Sequence, residues 1–152
     1  MLLIKKMEQT EATEIADLWK YPEPYSFYNM TEDIEDYNEI TMPEKRKDCY
    51  FSIKDRELLI GFFSVEPNND SIIIGLGMKP ELTGKGKGKE FLEFIIDFVK
   101  ENYNIRKIEL SVADFNKRAI KLYKNCGFII VGESKLPTNG DIYNFIHLER
   151  EI

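Results

Sequence analysis

Three glycines alternate with three lysines in segment 83–89, which lies between two apolar runs. This order of residue types predicts a strand, a glycine-rich turn and a helix. Glycines let the backbone approach a ligand closely, and the first turn of a helix has N–H donors without partners inside the helix. A turn of this kind at a helix N-terminus binds phosphate, and lysines strengthen its attraction for anions. The residues concerned are Gly84, Lys85, Gly86, Lys87, Gly88 and Lys89.

Two widespread phosphate-binding motifs do not fit this segment. A Walker P-loop requires Ser or Thr directly after its lysine, whereas Lys89 is followed by Glu90. The dinucleotide pattern GxGxxG requires a third glycine that no register of the segment supplies. The segment therefore indicates an anion cradle of another kind, and a solvated lysine-rich loop remains the alternative.

The residue pattern of a second segment, 116–128, predicts a helix with two candidate functional side chains on one face. Asn116 is a favoured N-cap, and Gly127 suits the end of the helix. Tyr123 follows Asn116 by about two turns at ~3.6 residues per turn, so the two side chains share a face. A packed core tyrosine is the alternative for Tyr123. The presence of both segments in this order favours a functional pair.

Together the two segments resemble the signatures of the GNAT superfamily of acyl-CoA-dependent N-acyltransferases. The first signature is Gln or Arg, two residues, Gly, one residue, then Gly or Ala, and it falls on residues 83–88. The second falls on Asn116, Ala119, Leu122, Tyr123, Gly127 and Phe128. The chain departs from the family at Thr83, where a long cationic or amide side chain is usual. The resemblance covers roughly residues 48–150.

The expected fold is that of the family: a single α+β domain over residues 1–152, with three α/β/α layers. It implies a mixed, mostly antiparallel sheet of six to seven strands flanked by four helices. The residue patterns agree with this order. Strands are predicted at about 2–7, 48–54, 57–66, 71–78, 108–112, 127–134 and 141–149. Helices are predicted from Thr10 to about Lys20, from Thr31 to about Ile40, from the glycine loop to about Asn102, and from Asn116.

The resemblance implies acetyl-CoA as the cofactor, with its phosphates on the glycine loop. The edge of the preceding strand would pair with the two amides of the pantetheine arm, as an added strand does. A backbone N–H there would polarise the thioester carbonyl. Gly75 and Gly77 are compatible with a bulge that separates this strand from the next. The predicted cofactor-binding residues are Leu76, Gly77, Met78, Thr83, Gly84, Lys85, Gly86, Lys87, Gly88, Lys89 and Asn116.

By the same resemblance, Tyr123 is the catalytic acid that protonates the departing thiolate. A phenol titrates near ~10 and a thiol near ~8.5, so the proton transfer is feasible. The general base stays open, because residues 71–78 contain no carboxylate. The alternatives are Glu66 or Asp70 acting through water, a residue on the substrate side, and an amine that loses its proton on binding. His147 is expected to be an ordinary residue of the sheet.

The acceptor amine is expected near segment 21–28, which is rich in aromatic residues. Tyr25 and Tyr28 can hold a cation or an apolar chain, and Glu23 can attract an amine. The alternative is a segment that only covers a helix–helix turn. The predicted reaction is acetyl transfer to the primary amine of a small molecule. The other possibilities are a non-catalytic acyl-CoA-binding or regulatory module, a protein N-terminal or lysine acetyltransferase, and a nucleotide-binding protein of another fold.

Composition indicates which partners and which cellular location are expected for this protein. The chain has 152 residues, a net charge of −6 and a pI near 5.0, which argues against a nucleic-acid partner. No apolar run approaches ~20 residues and the N-terminus lacks a signal-peptide pattern, so a cytoplasmic protein without a membrane partner is expected. Cys49 and Cys126 are expected as reduced thiols, and no metal site is expected. An exposed sheet edge makes a homodimer possible.

Overall fold

The computed structural model describes residues 1–152 and contains seven strands and five α-helices. In chain order they are β1 (Leu2–Lys6), α1 (Gln9–Leu18), α2 (Ile34–Thr41), α3 (Pro43–Arg46), β2 (Tyr50–Asp55), β3 (Leu58–Asn68), β4 (Ser71–Met78), α4 (Gly88–Asn102), β5 (Lys107–Ala113), α5 (Lys117–Asn125), β6 (Ile129–Thr138) and β7 (Asp141–Glu151). Short 3-10 turns occupy Tyr25–Tyr28, Met30–Glu32 and Pro80–Leu82.

The strands hydrogen-bond in the order β1-β2-β3-β4-β5-β7-β6. β1 and β2, β2 and β3, and β5 and β7 pair antiparallel, whereas β4 and β5 pair parallel. The parallel pair is in register from Ser71–Lys107 to Ile73–Glu109, which is where both strands begin. β5 in contrast pairs with β7 along its whole length, from Lys107 to Ala113. The sheet is therefore mixed and mostly antiparallel, as predicted.

The chain folds into two compact units, each made of three stretches of sequence. Unit 1 comprises residues 1–64, 76–82 and 138–141. Its core is built where the buried face of α1 meets α2 and strands β2 and β3. Apolar residues of α1 recur at helical spacing, which places them on one side of the helix. The core residues are Met7, Ala12, Ile15, Ala16, Trp19, Ile40, Tyr50, Leu59 and Phe62.

Unit 2 comprises residues 65–75, 83–137 and 142–152. Its longest helix, α4, buries one apolar stripe, formed by Phe91, Leu92, Ile95, Ile96 and Val99. In β5 the buried residues alternate with more exposed ones, which is the pattern of a strand with one covered face. No helix of the protein combines the length and the apolar character that crossing a membrane requires.

Three local predictions need correction. The cap of α1 is Glu8 and not Thr10, because Glu8 and Glu11 form a reciprocal capping box in which Glu11 Oε1 accepts from Glu8 N at 2.9 Å. α2 begins after Asp33, whose carboxylate accepts from two backbone N–H groups, and Thr31 lies in the preceding 3-10 turn. Four flanking helices were expected. The fifth is α3, a single turn that is too short to leave a periodic pattern.

Candidate active site

The glycine loop in unit 2 has the backbone geometry of an anion cradle. Gly84 and Gly86 adopt φ of +71° and +76°, the left-handed region that other residues rarely enter. Lys87, which follows Gly86, is right-handed (φ −92°, ψ −6°), and a left-handed residue followed by a right-handed one turns successive N–H groups toward one side. The following helix, α4, has Lys87 as its N-cap and no side chain that caps it. The N-terminus of α4 is thus shaped to receive an anion.

Gly88, the third glycine, has a different role. A Cβ at this position would lie 3.0 Å from Cδ2 of Leu122 on α5, which is tighter than an ordinary contact. The absence of a side chain lets the first turn of α4 approach α5. The structure therefore brings together the two segments from which the chemistry was predicted.

Helix α5 presents Asn116 and Tyr123 as predicted. Asn116 is 9% exposed, and its Oδ1 accepts from Ala119 N at 3.1 Å, so the side chain is the N-cap. Tyr123 is also 9% exposed, and its ring centroid lies 6.2 Å from that of Phe128. Beyond the helix Gly127 adopts φ +87°, which ends α5 as expected. The cap fixes the Asn116 amide, so a contact with the cofactor would come from its Nδ2.

Arg118, the second residue of α5, was not among the predicted site residues. Its Nη1 lies 3.2 Å from the position that a Cβ of Gly84 would take, so the guanidinium packs against the glycine loop. The only signal in the sequence was a cation two residues after the Asn116 cap. The contact with Gly84 depends on the approach of α5 to the loop, which residue types alone do not specify.

In unit 1 the end of β4 contains Leu76, Gly77 and Met78. A Cβ on Gly77 would collide with the ring of Phe62, so glycine is required by close packing here. The carbonyl of Met78 accepts a hydrogen bond from the hydroxyl of Tyr21 at 2.7 Å. Burial, together with the charge of Glu81, raises the pKa of Tyr21 well above its usual value, so this phenol stays neutral. Tyr21 was not among the predicted site residues.

The predicted acceptor segment is held in place by contacts within unit 1. Tyr25–Tyr28 forms a 3-10 turn, Glu23 accepts from the Ser26 hydroxyl, and the rings of Phe27 and Tyr28 meet edge to face at 5.1 Å. The side chain of Asn139, at the turn between β6 and β7, donates to Phe27 O at 2.9 Å. The segment is thus an ordered turn that Tyr21 connects to the end of β4.

The alternatives for the general base lie elsewhere on their strands. Asp70 precedes β4 and forms an ion pair with Arg106 at 2.8 Å. β4 has eight residues, so its two ends are separated by roughly 25 Å at ~3.3 Å per residue. Glu66 lies near the same turn, two residues before the end of β3. Neither carboxylate is at the Met78 end.

His147 lies on β7 among polar strand residues. Its Nδ1 is 2.7 Å from Ser111 Oγ on β5, and its Nε2 is 2.6 Å from Ser134 Oγ on β6. Both ring nitrogens are therefore used in bonds across the sheet. No group of three His, Cys, Asp or Glu side chains is arranged to hold a metal ion.

Comparison with known proteins assigns this geometry to a class. The model of the Acetyltransferase (GNAT) family matches residues 11–128, most of the chain. The chain therefore belongs to that family, and the predicted fold is confirmed.

Several similar proteins are named as N-acetyltransferases. Spermidine N(1)-acetyltransferase of Vibrio cholerae is 30% identical over 78% of this chain and 68% of its own length. Spermine/spermidine N(1)-acetyltransferase of Bacillus subtilis is 41% identical over a shorter stretch, 38% of this chain and 37% of its own. An uncharacterized N-acetyltransferase, p20, of Bacillus licheniformis is 25% identical over 99% of this chain and 94% of its own.

Solved structures show the same fold. Spermidine N-acetyltransferase from Vibrio cholerae, in complex with CoA and spermine, superposes with a TM-score of 0.75 at 23% identity, over 99% of this chain and 95% of that one. The ribosomal-protein-S18-alanine N-acetyltransferase of Escherichia coli superposes with a TM-score of 0.71 at 18% identity, over 100% and 94%. Because these two act on different amines by name, the fold alone does not choose the acceptor.

The protein is an acetyl-CoA-dependent N-acetyltransferase that transfers the acetyl group to a primary amine. The structure fits this cofactor, since the left-handed glycines, the uncapped helix and the lysines of the loop suit its phosphates. The roles of individual site residues stay predictions.

Proposed function

We propose that the acceptor is a linear aliphatic polyamine of the spermidine or spermine class, acetylated on a primary amine. The observation that carries this proposal is the distribution of charge between the two units. Unit 1 has 16 Asp and Glu against 9 Lys and Arg, a net charge of −7. Unit 2 has 11 against 12, a net charge of +1. The acidic unit suits a polycation, and the other contains the lysine-rich loop.

Crowded carboxylates on α2 strengthen this preference. Desolvation of its carboxyl and the negative charges of Asp33, Glu39 and Glu35 raise the pKa of Asp36 to about 6. Carboxylates that repel one another are stabilised by a cation placed among them. A polyamine offers several positive charges along a flexible apolar chain. The named activities of the Vibrio cholerae and Bacillus subtilis relatives support the same substrate class.

In this proposal the glycine loop holds the cofactor phosphates. The left-handed Gly84 and Gly86 direct backbone N–H groups at the anion, and Thr83 and Gly88 lie at the two ends of the turn. The side chains of Lys85, Lys87 and Lys89 neutralise its charge. Bound acetyl-CoA supplies the acetyl thioester. Asn116, fixed by its capping bond, donates from Nδ2 to the cofactor arm.

The end of β4 and Tyr123 act on the reacting group. Leu76, Gly77 and Met78 offer strand-edge groups to the pantetheine amides, and an N–H of this edge polarises the carbonyl under attack. The amine would attack as the neutral base and form the C–N bond as the C–S bond breaks. The Tyr123 phenol would give its proton to the departing sulfur, and the proton that the new amide nitrogen loses would pass through water and restore the phenol.

Segment 21–28 receives the amine. The rings of Tyr25 and Tyr28 offer faces to a cation, and the Glu23 carboxylate attracts it. The bond from Tyr21 to Met78 O fixes one end of the segment. The protein would act as one catalytic domain in the cytoplasm, where Cys49 and Cys126 remain the free thiols that the structure shows. The homodimer stays a prediction, and the sheet has β1 and β6 as its two edge strands.

The test is an acceptor panel at saturating acetyl-CoA, with thiol release measured and products identified by mass. The panel contains spermidine, spermine, butylamine, free lysine and a peptide with a free N-terminus. We expect kcat/KM for the polyamines to exceed that for butylamine by at least about ten-fold, which corresponds to one added charge contact. A higher value for the amino acid or the peptide would refute the polyamine assignment. CoA binding without turnover on any amine would indicate a non-catalytic module.

A further inference from the structure

The imidazole of His147 lies between two serine hydroxyls, one on each neighbouring strand. His147 is on β7, which lies between β5 and β6 in the sheet. Its Nδ1 is 2.7 Å from Ser111 Oγ on β5, and its Nε2 is 2.6 Å from Ser134 Oγ on β6. A hydroxyl beside a base that a third group orients is the arrangement of an activated nucleophile. All three residues belong to unit 2.

One assignment of protons uses both contacts of the ring. A neutral imidazole has a hydrogen on one nitrogen and a lone pair on the other. With the hydrogen on Nδ1, the ring donates to Ser111 Oγ, and its Nε2 accepts from the hydroxyl of Ser134. Nε2 can then remove the Ser134 proton as the oxygen attacks an electrophile. Ser111 is the group that holds the ring in this tautomer.

A carboxylate on the same face of the sheet suits the charge that this step creates. Glu109 precedes Ser111 by two residues on β5, so the two side chains lie on one face. Glu109 Oε2 accepts from Ser71 Oγ at 2.6 Å. That bond is the largest of the effects that lower the pKa of Glu109, and the charge of His147 is among the smaller ones. The charged carboxylate would stabilise the imidazolium that forms when His147 takes a proton.

The position of β6 at the edge of the sheet supplies donors for an acyl oxygen. β6 pairs with β7 on one side and has no strand on the other. Along such a strand every second residue has its N–H on the open side, so either Ser134 or both Glu133 and Lys135 have an unpaired backbone donor there. Donors this close to a nucleophile can stabilise the oxyanion of a tetrahedral intermediate. Ser134 is only half-buried, so a small ester can reach its hydroxyl.

We propose that Ser134 is a nucleophile activated by His147, and that this site hydrolyses short acyl esters with good leaving groups. The Ser134 oxygen bonds to the acyl carbon as the bond to the leaving oxygen breaks. His147 Nε2 takes the Ser134 proton and gives it to the leaving oxygen. Water then attacks the acyl-serine, its proton passes through Nε2 to Ser134 Oγ, and the carboxylic acid departs. The activity needs neither CoA nor an amine, so it is independent of the polyamine proposal.

The test exposes the full chain to p-nitrophenyl acetate without CoA or any amine, and measures nitrophenolate release above the rate without protein. We expect Ser134→Ala and His147→Gln each to lower this rate by about 100-fold or more, the usual contribution of a positioned base. Ser64→Ala is the matched control, because it removes a half-buried serine from β3. It should change the rate by less than about two-fold.

An alkyl fluorophosphonate identifies the nucleophile in the unmodified chain, because it forms a stable adduct with an activated serine. Peptide masses should place the adduct on Ser134. This measurement needs no variant, so a variant that fails to fold leaves the test intact, and thermal unfolding identifies such a variant.

Ser111 is tested as a positioning residue by observing the ring itself. His147 is the only histidine of the chain, so its nitrogen NMR signals are unambiguous. Ser111→Ala should lower the ester rate by about ten-fold and reduce the population with the hydrogen on Nδ1. Ser111→Thr keeps the hydroxyl and should retain both.

The proposal is overturned if the fluorophosphonate leaves Ser134 unmodified. It is also overturned if Ser134→Ala or His147→Gln releases nitrophenolate as fast as the Ser64→Ala control, since the ester would then react elsewhere on the chain.

Discussion

Tyr123 is the residue on which the proposed chemistry depends most directly. It lies on α5 beside the glycine loop and is almost completely buried, where a phenol can protonate a leaving group without competition from water. We expect Tyr123→Phe to lower kcat by about 100-fold or more, the usual contribution of a general acid. CoA affinity should change by less than about two-fold, since the ring remains in place. Steady-state thiol release and calorimetry measure the two effects.

Tyr103→Phe provides the control for this prediction. Tyr103 is the C-cap of α4, at the opposite end of that helix from the loop, and its variant should turn over normally. A Tyr123→Phe enzyme with kcat close to that of the control would remove Tyr123 from the catalytic role. Parallel losses in kcat and CoA affinity would instead indicate that the phenol only binds the cofactor.

The raised pKa of Tyr21 predicts how the stability of the fold changes with pH. Its pKa is raised in the folded protein, so above about pH 10 the unfolded chain releases this proton first. The stability that Tyr21 contributes is complete below that pH and falls as the pH rises further. We expect Tyr21→Phe to cost about 1 kcal/mol at pH 8, through the lost bond to Met78 O.

The difference in stability between Tyr21→Phe and the unmodified protein should shrink between about pH 10 and pH 11. The unmodified protein loses stability in this range because its unfolded state releases the Tyr21 proton, whereas the variant has no such proton. Urea unfolding of both proteins across this range measures the difference in the free energy of unfolding. A deficit that stays constant or grows with pH would show that the phenol ionises in the folded state at least as readily as in the unfolded chain.

At the scale of elements, a comparison of Gly86 and Gly132 distinguishes the effect of backbone strain on stability from the effect of steric crowding. Gly86 has open space where a Cβ would be, but its φ is +76°. Gly132, on β6, has the same open space without a positive φ. Gly86→Ala should therefore lower stability by about 1–2 kcal/mol and weaken CoA binding, because the loop must leave its left-handed conformation.

Gly132→Ala is the matched variant and should be neutral or slightly stabilising, by up to about 1 kcal/mol, because a strand loses less entropy with alanine. Unfolding free energies and CoA affinities of both variants provide the comparison. Equal effects at the two positions would mean that the positive φ of the loop does not hold the N–H groups in place.

The order of elements could be predicted because each one leaves a local pattern. The glycine loop, the Asn116 cap and the Gly127 stop involve residues close in sequence, and all three were predicted. The contacts of Tyr21 with Met78 and of Arg118 with Gly84 join residues far apart in the chain. Residue types alone do not fix such distant pairs, because they depend on how whole elements pack.

Local signals also fail where two candidates compete. Thr10 and Thr31 are acceptable N-caps by residue type, yet Glu8 and Asp33 take these positions. Asp33 is favoured because its carboxylate accepts from α2 and also from Asn139 N at 3.0 Å, which holds the turn between β6 and β7. Backbone hydrogen bonding, led by the bond from Asn139, lowers the pKa of Asp33, so the charged form is the one that is stabilised.

At the scale of the whole molecule, the net charge conceals an unequal division of charge between the two units. A net charge of −6 describes a mildly acidic protein, but all of the negative excess belongs to unit 1, which has a net charge of −7, whereas unit 2 has +1. The sequence could not show this, since each unit consists of three separate stretches of chain. Under the proposed function this division favours binding of both substrates, because acetyl-CoA is an anion and the proposed polyamine is a cation. Each would meet a local charge that attracts it.

The division predicts how salt acts on the acceptor. At saturating acetyl-CoA, kcat/KM for spermidine should fall several-fold between about 50 and 300 mM NaCl, because added ions screen exposed charges. Butylamine, with one charge, should show a much smaller fall, and it serves as the control for effects on the enzyme itself. The attraction acts before chemistry, so kcat should stay constant for both amines. Equal salt dependence for the two amines would contradict acidic attraction by unit 1 and leave shape alone to select the acceptor.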